Sequence, residues 1–143
     1  MSPHRTLVPE SLKTADRDVF HAQATGTADY KGILPAKSDV IYVTCLVTMA
    51  NAASLVLTLY TADDADGTTP VALTENVPIY VDDVAQTAAK THTITDDTGN
   101  FVVVFCVPSI IVPTDKYLCI HYANSNAANI LSVLMIEDSY YNG

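Results

Sequence analysis

From Val40 to Met49 the odd positions Ile41, Val43, Cys45, Val47 and Met49 are all apolar, while Thr44 and Thr48 fall on the opposite side. Ser54–Thr61 repeats the pattern, with Leu55, Leu57 and Leu59 alternating with Ser54, Thr58 and Tyr60. A period of two with β-branched enrichment predicts half-buried strands. The short link Met49–Ala53 predicts that these two strands form a hairpin.

Asp63-Asp64-Ala65-Asp66-Gly67 breaks the alternation with a turn. Short strands follow near Val71–Thr74 and Val77–Val81. Ala88–Thr95 sets Lys90, His92 and Ile94 against Thr91, Thr93 and Thr95, the pattern of a wet edge strand, and Asp96–Asn100 turns the chain again. Phe101–Val107 is apolar on both faces, with Phe101, Val103 and Phe105 on one and Val102, Val104 and Cys106 on the other. A strand of that kind in a two-layer protein needs a second cover, from a loop or from another subunit. Pro108 and Pro113 keep Ser109–Val112 from being a central strand. Tyr117–Ala123 and Ile130–Glu137 close the pattern, joined by a turn at Asn124–Asn129. The chain shows no long amphipathic helix and no internal repeat. About eight short strands at regular spacing predict an all-β chain, a single β-sandwich of jelly-roll type.

The first eighteen residues do not share this periodicity. Met1–Asp18 carries Leu7, Val8, Pro9 and Leu12 among polar residues, with no repeat that would bury them. The expected organisation is an extended N-terminal arm over 1–18 and a sandwich domain over 19–143. Leu7, Val8, Pro9 and Leu12 are the candidate anchors of the arm on a partner. Phe101, Val103 and Phe105, or the opposite face of that strand, are the candidates for a subunit seam.

Composition sharpens this picture. Charged residues are 16% and hydrophobic residues 49% of the 143, against about 25% charged in ordinary soluble domains. No apolar run approaches the roughly 20 residues that cross a bilayer, so neither a membrane span nor a secretory signal is expected. The net charge of −9 argues against nucleic acid as partner. Arg5, Lys13, Arg17, Lys31 and Lys37 crowd the first quarter and leave only Lys90 and Lys116 beyond it. Such an arm suits either an acidic neighbour, such as another copy's body, or plain solvent.

Candidate chemistry is sparse. Cys45, Cys106 and Cys119 lie in apolar strand patterns without metal-ligand spacing, which predicts buried free thiols in a reducing cytoplasm and no metal or other cofactor. Asp64-Ala65-Asp66-Gly67 echoes the opening of a calcium loop but lacks its later ligands and closing Glu, so an acidic turn is the expectation. Cys119 and His121 share a strand face, as a nucleophile and base would, yet no orienting acid or oxyanion motif accompanies them. No enzyme is expected. Tyr117 precedes Cys119 by two, as in the tyrosine corner of immunoglobulin-like sandwiches, and Cys45 would then face Cys119; without Trp or a sign of export, no disulfide is predicted. The eight tyrosines admit a sugar-binding face as an alternative function.

Three segments carry a resemblance. Ala53–Asp64 (ASLVLTLYTADD) resembles a strand and acidic turn of small sandwich proteins in tailed-phage virions. Val112–Tyr122 (VPTDKYLCIHY) looks like the strand after the proline-rich corner there, and Ile130–Asp138 falls where the last strand is placed. Over roughly Ala24 to Asp138 the chain is similar to the capsid cement, or decoration, proteins of short-tailed phages of the Bordetella phage type. Asn126-Ala127-Ala128-Asn129 departs from the usual glycine-containing turn, and the Met1–Asp18 leader is longer than that family's pattern. The resemblance implies a jelly roll that is made in the host cytoplasm and placed on the capsid exterior of the virion. There it would bind the major capsid protein and itself, as a homo-oligomer (dimer or trimer), and reinforce the shell. The alternative is a tail or host-surface module that grips carbohydrate.

Overall fold

The computed structural model describes residues 18–25, 29–36, 38–50, 54–95, 98–123 and 126–138. The alternating segments become strands β1 (Asp18–Ala24), β2 (Asp29–Ile33), β3 (Val40–Met49), β4 (Leu55–Ala62), β5 (Val71–Ala72), β6 (Ile79–Val81), β7 (Val84–Ala85), β8 (Thr91–Ile94), β9 (Gly99–Pro108), β10 (Tyr117–Ala123) and β11 (Ile130–Asp138). A 3-10 turn, Ser109–Ile111, fills the gap between the two prolines. The arm residues 1–17, including Leu7, Val8, Pro9 and Leu12, lie outside the described residues.

The strands form two antiparallel sheets. The larger runs β1-β11-β3-β9-β6-β7; the smaller runs β2-β10-β4-β5, with β8 also paired to β4. Strands from opposite ends of the chain pair in nested order: β1 with β11, β2 with β10, β3 with β9 and β4 with β8. The inner faces of both sheets contribute to one apolar core, where Ile41, Val43, Phe105 and Met135 meet Leu57, Leu59, Ile120 and Tyr122. Phe20 on β1 packs edge-on to Tyr122 on β10 with ring centroids 5.0 Å apart, which ties the two layers together.

Two expectations are corrected. β3 and β4 are not a hairpin, because they belong to different sheets. Odd-position apolarity in both strands specifies which face meets the core; it does not specify which sheet each strand joins. β3 finds its partners in β9 and β11, whose registers run over its full length. Among the described residues the strand count is eleven rather than about eight, the additions being β1, β2 and the two-residue β7. β6 and β7 form a tight hairpin through Asp82 (φ 48°) and Asp83 (φ 67°), left-handed values that match the twist of a two-residue hairpin loop.

A polar knot closes one end of the larger sheet. Thr25 Oγ1 donates to the Asn129 carbonyl at 2.8 Å, and the Ala50 N–H donates to Asn129 Oδ1 at 2.8 Å. The turn before β11 is held by the Asn126 side chain, whose Oδ1 accepts the Ala128 N–H at 3.0 Å. Asparagine suits such a corner because its side chain can hydrogen-bond the backbone two residues on.

Candidate interaction surface

The outward side of an antiparallel sandwich sheet is ordinarily polar. The larger sheet departs from this rule. Register places Ser132, Leu46 and Val102 side by side across β11, β3 and β9, with Leu134, Thr44, Val104 and Tyr80 in the next row. Ile136, Tyr42 and Cys106 form the row after that. All turn away from the core. Leu46 is 53% exposed, and Val102 and Tyr80 are each 38% exposed. None of these outward side chains bears a charge. Among the described side chains, carboxylates flank these rows at the rim, with Asp138 at the end of β11 and Asp82, whose Oδ1 accepts the Val102 N–H at 2.9 Å.

Of the proposed seam residues, Val103 and Phe105 are fully buried in the chain's own core, and Phe101 packs partly buried against it. They are therefore unavailable as an interface. The physical reason is their register: Val103 and Phe105 stand opposite Cys45 and Val43, both core residues. The available face of β9 is the other one, and it is joined by the outward sides of β3 and β11. The same signal is present in the sequence of β11, where Ile130, Leu134 and Ile136 make the strand, like β9, apolar on both sides.

The outer face of the smaller sheet is organised differently. The β4–β5 loop runs across it and reaches the edge strand β2, where the Gly32 N–H donates to the Ala65 carbonyl at 3.1 Å. Lys116 pairs with Asp63 and Lys31 with Asp66, both among exposed side chains. Asp64 is consumed within the loop: Oδ1 accepts the N–H groups of Asp66 and Thr68 at 2.9 and 3.1 Å, and Oδ2 accepts the Thr68 hydroxyl at 2.6 Å. Those hydrogen bonds, led by the Thr68 hydroxyl, hold the Asp64 carboxyl below its usual range, and the Lys116 ammonium does the same for Asp63. These carboxylates thus serve the loop's own closure. Among the described residues no group of three or more His, Cys, Asp or Glu side chains could hold a metal ion.

Cys119 lies beneath this strap. Its thiol reaches the Asp64 carbonyl at 3.6 Å, and burial pushes its pKa up to about 12. A thiol so rarely ionised is a poor nucleophile. His121 shares the outward face, as its position predicts, but its ring packs on Tyr30 with centroids 4.2 Å apart, and Tyr60 meets Tyr30 edge-on at 5.2 Å. Burial lowers the His121 pKa. Cys45, Cys106 and Cys119 form no disulfide; Cys45 sits in the core of the larger sheet and Cys119 on the outside of the smaller one.

The chain matches no family model, no curated protein and no solved structure. Its functional reading rests on its surfaces.

A second apolar feature occupies one end of the molecule, where Ile110 is 89% exposed on the 3-10 turn. Beside it runs an open groove of about 530 Å³ lined by Leu34, Pro35, Val112 and Pro113. Both flanking segments are braced: the Ser109 N–H donates to the Asp39 carbonyl at 3.0 Å, and Glu137 Oε1 accepts the Ala36 N–H and the Ser38 hydroxyl.

Proposed function

We propose that this chain is a structural virion protein, a capsid decoration protein that sits on the outer surface of a major capsid lattice as a homo-oligomer and stabilises the shell. The observation that carries the proposal is the uncharged, apolar outer face of the larger sheet. A domain that works alone in water gains nothing from such a face and is exposed to aggregation by it. One that works in an assembly buries it and stabilises the assembled state by mass action.

The domain is read as a jelly roll. Counting only strands of four residues or more, the larger sheet has the order first, eighth, third, sixth and the smaller sheet second, seventh, fourth, fifth. That is the order produced when a long hairpin with nested pairs is rolled into two sheets, the arrangement common in viral capsid and lectin domains. Leu7, Val8, Pro9 and Leu12 are proposed to anchor the arm on a neighbouring subunit. Quantitative mass spectrometry of purified virions tests the function: hundreds of copies per particle are expected, and a few to tens would overturn the decoration role. Within particles, replacing Leu7, Val8 and Leu12 together by Ser should lower occupancy, and unchanged occupancy removes the arm from the mechanism.

The second reading, a carbohydrate-binding module on a tail or at the host surface, is favoured by the Tyr30–His121–Tyr60 cluster, with Thr58 and Thr91 hydroxyls 3.3 Å apart on the same face. A glycan array separates the two readings.

A further inference from the structure

The uncharged face of the larger sheet is laid out by register. Leu46, 53% exposed, stands between Ser132 and Val102, and in the next row Thr44 stands between Leu134 and Val104. An uncharged face of this kind can meet a copy of itself about a twofold axis, which makes the contact isologous.

Charge narrows the choice of occupant. The chain carries a net charge of −9, so two copies repel at most approaches. Among the described residues, the outward rows from Ser132 to Ile136 across β11, β3, β9 and β6 hold no carboxylate for a second copy to oppose. An arm segment laid over the same face would bring Arg5, Glu10, Lys13 and Arg17 onto an apolar surface with no charge to receive them.

Area agrees with this. The four strands β1, β11, β3 and β9, each of seven residues or more, at about 4.8 Å spacing and about 3.3 Å rise give a face of about 20 by 25 Å. Counted over two copies that is roughly 1,000 Å², the lower bound for a specific interface.

We propose that the outer face of the six-stranded sheet is a self-association interface in which two copies pack about a twofold axis, Leu46 of each buried against the face of the other. The inference rests on the reading of the chain as an assembly protein and specifies which face serves self-contact. The smaller sheet's face, the arm and the Ile110 end are left for other contacts.

Sedimentation velocity of the full-length chain from about 1 to 100 µM tests it. The wild type should move from monomer to dimer mass across that range. Leu46→Glu should raise the dissociation constant about 100-fold or more, because the seam then holds two unpaired carboxylates. Val71→Glu, at an exposed position on the smaller sheet, should associate like wild type. Thr44→Arg is the second variant, and it should behave as Leu46→Glu does while retaining the wild-type far-ultraviolet circular dichroism. A wild type that stays monomeric at 100 µM overturns the interface. So does a threefold mass, or a Leu46→Glu variant that dimerises like wild type. Co-sedimentation of the same samples with undecorated shells distinguishes the two levels. Shell binding by a chain that never dimerises removes the self-contact and leaves decoration standing, while dimers that ignore shells do the reverse.

Discussion

The two sheets turn very different faces to the outside. On the smaller sheet the chain covers its own surface: the Asp63–Thr68 strap crosses β10, seals Cys119 and is pinned at Gly32 and by two lysine–aspartate pairs. On the larger sheet an uncharged, largely apolar surface is left bare around Leu46, with Val102 between it and the rim at Asp82. The comparison teaches that apolarity on both sides of a strand has two distinct solutions. One is internal and uses loop length; the other is external and needs a partner. The molecule uses both, one on each side.

The largest effects should come from residues that the comparison assigns to the interior. Phe105→Ala should cost about 3–5 kcal/mol in urea unfolding of the dilute monomer, as expected for a large core side chain. A loss confined to association would return Phe105 to the seam. Gly32→Val should cost about 3 kcal/mol, since a Cβ at that position lies 2.6 Å from the Cys119 Cα and 2.7 Å from its Sγ. Gly67→Ala is milder, about 1–2 kcal/mol, because φ is +78° and the new methyl meets the Tyr30 ring at 2.7 Å. This variant should also loosen the strap and speed thiol labelling of Cys119. Outward changes on the other face contrast with these: Leu46→Ser should alter monomer stability by less than about 0.5 kcal/mol while weakening association.

Acidification probes the strap. Asp63 and Asp64 have depressed folded-state values, so their contribution is present above the unfolded carboxylate pKa of about 3.9 and is lost as pH falls through the lower folded value. His92 and His121 are also depressed, by burial, so their neutral forms favour folding above about 6.5, and that contribution is lost as pH drops through their folded values. Urea midpoints should fall in two stages, one below about pH 6.5 and a second below about pH 4. Asp64→Asn should flatten the second and spare the first. The smallest expected effect is that of salt. The rim of the proposed seam is acidic, at Asp82 and Asp138, so added salt should tighten self-association by screening the repulsion. A dimer held by ion pairs would weaken instead.

Much of this fold could be read from alternation alone. β3, β4, β9, β10 and β11 appear where the period-two pattern puts them, because each has one face in a common core. β1 and β2 were not legible. β2 contains Gly32 and has one partner strand, and β1 meets β11 with shifts in register, so neither offers a clean period. Sheet membership was not legible either, since nothing in Leu55, Leu57 and Leu59 distinguishes the layer above the core from the layer below. For the surface, two-sided apolarity in Phe101–Val107 pointed to a seam, but the side holding the aromatic rings is the one the core takes. The strap over Cys119 depends on a loop crossing a sheet, and pairwise spacing carries no trace of that.

Site-resolved thiol labelling tests the contrast between the faces most directly. Cys106 lies on the bare face and Cys119 under the strap. The account predicts that Cys106 reacts readily in dilute wild-type protein, becomes protected as concentration rises, and stays reactive throughout in Leu46→Glu, while Cys119 remains slow in all samples. A Cys106 rate indifferent to concentration, or a Cys119 that reacts as fast as Cys106, would contradict it.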